Sequence, residues 1–147
     1  MFVYPLSSQE SRLYTHKIVL THADLTETAT NTAQTIPVLS LAIGDVVSAA
    51  AYRLVTAFTD ASDAAFNVTS ITVGDGGAVA RYIPSKELNS NGTEIINWAT
   101  SQATSTIPYA YLAADNVDVV FTSMAAKSLV DIDAGEVHIY LSVDKTY

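Results

Sequence analysis

The end of the chain carries the cleanest pattern. In residues 136–143, Val137, Ile139, Leu141 and Val143 fall on one side, while Glu136, His138, Tyr140 and Ser142 fall on the other. That period of two predicts a strand with its apolar face on a core. Residues 116–123 repeat it, with Val117, Val119 and Phe121 opposite Asp118, Val120 and Thr122. Residues 65–73 alternate with a flaw. Phe66, Val68 and Ser70 oppose Asn67, Thr69, Ile71 and Val73, which predicts burial of both faces or a bulge near Ser70. Further strands are predicted over 13–22, around Ile18-Val19-Leu20, over 34–41, and over the long stretch 46–58. Pro37 lacks an N–H and places the second of these at a sheet edge or a strand end. Tyr109-Ala110-Tyr111-Leu112 follows Pro108 as a short strand that puts both tyrosines on one face. Residues 93–100 fit a strand or a short helical turn equally, and 78–88 give no clear pattern.

Turn signals separate these runs: Ile43-Gly44-Asp45, Asp60-Ala61-Ser62-Asp63, Gly74-Asp75-Gly76-Gly77 and Asn91-Gly92. Glycine clusters permit positive φ and end strand pairing. Asn-Gly is the favoured centre of a tight hairpin. About seven to nine short strands with no crossover helices predict an all-β fold, an antiparallel β-sandwich of jelly-roll or immunoglobulin-like kind. Residues 13–147 read as one such domain. Residues 1–12 read as a short N-terminal arm that orders against a partner or neighbour.

Charge narrows the partners. The chain has 147 residues, no cysteine and a formal charge of −8. Disulfides, thiolate metal sites and a cysteine nucleophile are excluded. Arg12, Lys17, Arg53, Arg81, Lys86, Lys127 and Lys145 are scattered. No basic cluster is present to neutralise several phosphates, so no nucleic-acid partner is expected. No stretch has the length and apolarity of a spanning helix, and Met1-Phe2-Val3-Tyr4-Pro5 lacks the features of a signal peptide, so no membrane partner or secretion signal is expected. The sequons at Asn67 and Asn91 are chance products of a Thr-rich sequence.

Catalytic chemistry is hard to find. His16 and His22 would sit about 20 Å apart along a straight strand, and His138 falls on the polar face of the last one. No Gly-x-Ser-x-Gly elbow presents a serine. Gly74-Asp75-Gly76-Gly77 lacks the Gly-Lys-Ser/Thr of a phosphate loop. Asp60, Asp63, Asp75, Asp115, Asp118, Asp131 and Asp133 offer oxygens for calcium without EF-hand spacing, and read as solvated turn aspartates. No enzyme, cofactor or metal is therefore expected. The aromatic residues remain as binding candidates. Phe2 and Tyr4 on the arm, Tyr14, and the Tyr109/Tyr111 face are the expected partner-binding residues.

The segment from Ile71 to Ile83, a strand running into Gly74-Asp75-Gly76-Gly77 and then Arg81-Tyr82, resembles one found in small virion proteins of tailed bacteriophages. Val117–Thr122 followed by Ala134–Tyr140 resembles their closing hairpin. The two cover roughly the C-terminal half. The resemblance is to capsid decoration, or cement, proteins. It implies a β-sandwich or jelly-roll subunit, often a homotrimer, assembled in the host cytoplasm onto the capsid exterior of the virion. There it would bind the major capsid protein and stabilise the shell, with no catalytic residue. A phage tail, neck or fibre component and a carbohydrate-binding β-sandwich module using Trp98 or the Tyr109/Tyr111 face are the other readings.

Overall fold

The computed structural model describes residues 1–5, 14–89, 95–97 and 107–146. Their strands are β1 (Phe2–Pro5), β2 (His16–Thr21), β3 (Ala33–Leu41), β4 (Val46–Thr59), β5 (Thr69–Asp75), β6 (Ala78–Glu87), β7 (Ile95–Asn97), β8 (Tyr109–Ala110), β9 (Asp115–Ser123) and β10 (Ala134–Asp144). One sheet runs β1-β2-β10-β4-β7, with β8 also paired to β4; the other runs β3-β9-β5-β6. Every pairing among these strands is antiparallel. The chain alternates between the sheets from β2 to β5 and, with the short β8 set aside, again from β6 to β10. Four strands, β2-β10-β4-β7, therefore face β3-β9-β5-β6. That order is a jelly roll, which decides between the two sandwich kinds left open by the sequence.

The core lies between the sheets. Ile18, Leu20, Leu54, Val137, Ile139 and Leu141 come from one sheet; Ile71, Val73, Val117, Val119 and Phe121 come from the other, all buried. Phe58 of β4 and Phe121 of β9 meet across the gap, rings 5.5 Å apart. Each fully buried side chain of this size contributes about 1.5–3 kcal/mol. A surface ion pair contributes about 0–1 kcal/mol, so apolar burial holds the sandwich together.

Several local outcomes depart from simple alternation. The predicted strand at 65–73 begins only at Thr69. Upstream, the Asp63 carboxylate accepts the Ala65 N–H and the Asp63 carbonyl accepts the Phe66 N–H, so a local turn takes the backbone groups a strand needs. Phe66 is buried from that turn, while Val68 is exposed. The irregular pairing falls between β5 and β6, on either side of Val73. Pro37 lies on the edge strand β3, next to a register shift between Pro37 and Leu39, where a missing N–H costs no central ladder bond. The ambiguous residues 78–88 are mostly β6.

The polar face of β10 is only partly solvated, with Glu136 and Tyr140 half-buried. His138 and Ser142 are buried. The His138 Nε2 lies 2.6 Å from Glu136 Oε1. Of the N-terminal arm, Phe2–Pro5 pairs with β2 of its own chain, Phe2 opposite Val19 and Pro5 opposite His16. The N-terminal amine contacts the Asp24 carboxylate. Of the ambiguous 93–100 segment, residues 95–97 form β7; the Asn91-Gly92 turn and Trp98 lie outside the described residues.

Candidate partner-binding surfaces

One end of the sandwich is organised by a buried carboxylate. Asp75 closes β5 and is 1% exposed. Its Oδ1 accepts the N–H groups of Gly77 at 3.0 Å and Ala78 at 2.8 Å. Arg81 donates to both carboxylate oxygens, Nε to Oδ2 at 2.5 Å and Nη2 to Oδ1 at 3.1 Å. Tyr111 donates its hydroxyl to Oδ2 at 3.0 Å. With that proton committed, Tyr82 supplies the proton of the buried Tyr82–Tyr111 hydroxyl contact. Burial alone would raise the Asp75 carboxyl; the hydrogen bonds from Arg81, Ala78 and Tyr111 outweigh it and hold the group below the usual carboxylate range. Burial drives both phenols well above their ordinary value.

This network accounts for the Gly74–Gly77 loop. The N–H groups a phosphate would need are taken by the Asp75 carboxylate, so the loop is a closed turn. No glycine in it has positive φ; among the described residues the positive-φ glycines are Gly44 and Gly135. Gly74 is required for space instead. A Cβ there would come within 2.5 Å of the Val79 carbonyl carbon on the neighbouring strand.

The expected binding residues separate into distinct places. Tyr111 is 4% exposed and lies just beyond β8, its ring edge-on to Tyr109 at 5.2 Å. The Arg81 guanidinium lies 3.8 Å over the Tyr109 ring. That aromatic pair therefore packs into the network, and one face of Tyr109 is covered by a cation. Phe2 and Tyr4 are 62% and 47% exposed. Their rings stack 6.2 Å apart on the outer edge strand, with Met1 and Val3 also exposed. Tyr14 is half-buried, 5.7 Å from Tyr140. β2, β10 and β4 lie between β1 and β8, so the two aromatic groups are four strand steps apart, about 19 Å across the sheet alone at ~4.8 Å per step.

The candidate calcium aspartates mostly serve turns and ion pairs. Asp60 accepts the Ser62 N–H and Asp133 accepts the Ala61 N–H. Asp63 pairs with Lys127. Among the described residues no group of three or more His, Asp or Glu side chains is placed to hold a metal ion. His16 lies on β2 and His22 in the 3-10 turn that follows it.

Two surface features were not singled out in the sequence. Ile43 is 68% exposed and Leu112 is 86% exposed. Backbone bonds from Gly44 N to Tyr111 O (2.8 Å) and from Tyr111 N to Asp45 O (2.9 Å) bring their segments side by side. Ile43 was legible only as part of a turn and Leu112 as the end of a short strand that in fact stops at Ala110, and exposure cannot be read from either.

No family model matches the chain, and no curated protein sequence matches it. Among solved structures the chain is similar to a chain of the Cyanophage Pam1 capsid asymmetric unit. The TM-score is 0.59 and the identity 16%, over 96% of this chain and 98% of that one. The two share a fold along nearly their whole lengths.

Proposed function

We propose that this chain is a non-enzymatic virion structural protein, a head decoration protein that binds the outside of the major capsid protein shell and stabilises it. The observation that carries the reading is the whole-length fold likeness to a chain of a phage capsid asymmetric unit. The chemistry of the surface supports it. The most elaborate polar network among the described residues, around Asp75, is internally satisfied and holds a loop in place. A charge of −8 disfavours adhesion to packaged nucleic acid. The stacked Phe2/Tyr4 pair on an outer edge strand offers the aromatic anchors that interfaces favour.

The reading has modest energetic demands. A standard interface buries about 1,200–2,000 Å² in total, and repetition over a symmetric shell multiplies weak contacts through avidity. A homotrimer suits three-fold junctions of such a shell.

The test is co-sedimentation of the purified protein with heads and with tails of the parent phage, together with its solution mass by light scattering. Binding to heads, raised thermal resistance of those heads and a trimeric mass are expected. Binding to tails alone, or to neither particle, overturns the decoration reading. Removing residues 1–12 should abolish head binding while leaving the thermal unfolding of the sandwich in place.

A further inference from the structure

The loop end of the sandwich holds a cavity that the Asp75 network borders without filling. It measures about 200 Å³ and is lined by Gly77, Arg81, Tyr109, Leu112 and Asp115, among others. That is smaller than the ~300–1,000 Å³ of pockets for drug-sized ligands; it suits one side chain. Leu112, on its rim, is 86% exposed, and the neighbouring Ile43 is 68% exposed. Single exposed apolar residues are ordinary, but here one large one lines a cavity and a second stands on the adjoining segment.

Charge decides what fits. Asp75 and Arg81 cancel in their two-point pair. Asp115 is left over: its carboxylate accepts the Asn116 N–H at 2.8 Å and lies 3.5 Å from where a Cβ on Gly76 would stand. Deeper on β9, burial first, and then the charges of Asp115 and Asp75, hold the Asp118 carboxyl above its usual range. The local field is therefore negative. An anionic ligand would meet an arginine already committed to Asp75. A sugar would meet a Tyr109 ring covered by a guanidinium on one face.

We propose that this cavity is a socket for one lysine or arginine side chain presented by a protein partner, its stem along Leu112 and Tyr109 and its charged head at the Asp115 carboxylate. A long basic side chain has this division, an apolar stem and a charged tip. The socket deepens the decoration reading by naming a docking face, and rests on that reading only for the partner's identity.

The test needs no virus particle. Acetyl-Leu-Lys-Leu-amide is titrated into the isotopically labelled protein and followed by amide NMR shifts, with norleucine and glutamate peptides as counterparts. Saturable shifts at Gly76, Gly77 and 112–115 are expected with the lysine peptide. The norleucine peptide should bind about fivefold more weakly and the glutamate peptide more weakly still. Asp115→Asn should weaken the lysine peptide about threefold or more, as should ~1 M salt, where the Debye length is ~3 Å. Leu112→Ala should weaken lysine and norleucine peptides alike. No shifts at this end, or equal binding of lysine and norleucine peptides, overturns the socket. Head co-sedimentation reports separately on the decoration reading: peptide binding without head binding removes the capsid partner and leaves the socket standing.

Discussion

Replacing Gly135 by alanine should be among the most damaging single-methyl changes in this protein. Gly135 is the second residue of β10 and has φ of +149°, a conformation L side chains rarely adopt. A non-glycine residue held in sparsely populated backbone space costs about 1–3 kcal/mol. The new Cβ would also stand 2.5 Å from Cγ and Cδ1 of Phe58 and 2.8 Å from Cδ2. Phe58 is fully buried and packs on Phe121 across the core, so its ring has little room to retreat. Overpacking of this kind costs about 1–3 kcal/mol more. Taken together, a loss of about 4 kcal/mol is expected. At ~2–4 °C per kcal/mol for a domain of this size, the midpoint of thermal unfolding should fall by about 8–16 °C. Differential scanning calorimetry measures it directly. Repeating the substitution in a Phe58→Leu background separates the two causes, because only the ring clash should shrink. A fall of less than ~3 °C would refute the argument. An undiminished penalty in the Phe58→Leu background would refute the clash and leave the backbone cost alone.

Three other outcomes follow from the carboxylates of Asp75, Asp45 and Asp118. Tyr111→Phe removes the hydroxyl that bridges Asp75 and Tyr82 and should lower the urea-derived unfolding free energy by about 1–3 kcal/mol, the cost of orphaned buried polar groups. Lys145→Met removes the ammonium paired with the buried Asp45, whose other oxygen already lacks a hydrogen-bond partner. Lys145 and the Ala42 N–H hold the Asp45 carboxyl low, so that stability is present above the unfolded value of ~3.9 and is lost as pH falls through the folded one. The variant should unfold earlier than the parent at neutral pH and converge with it in acid; a pH-independent gap in midpoint would count against the ion pair. Asp118→Asn should act with the opposite sign. Burial and the neighbouring Asp115 and Asp75 hold Asp118 high, so its charged form destabilises the fold above the folded value and the penalty fades towards acid. Calorimetry should show the asparagine variant more stable at neutral pH, with no advantage well below pH ~4.

The chain order alone determined the fold class. β9 and β10 are visible because each shows the core one apolar face over a full strand, Val117 to Phe121 and Val137 to Val143; alternation is a local property of the backbone. Pro37 announced an edge or a strand end for the same kind of reason, a missing donor, and the fold puts it on an edge strand. Tertiary structure decided the rest. The jelly-roll order depends on which strands find each other across the sequence, such as β2 with β10, and no local pattern encodes a partner that far away. Burial of His138 depends on what covers the second face of β10, which alternation cannot show. Tyr109 and Tyr111 were legible as an aromatic pair, but only the fold aims the Tyr111 hydroxyl at Asp75 and sets Arg81 on the Tyr109 ring. Gly74 read as part of a turn, and Gly135 carried no reading of its own. One is there because a neighbouring backbone presses against it, the other because a phenylalanine ring fills the space a side chain would need, and each contact exists only once distant segments are packed together.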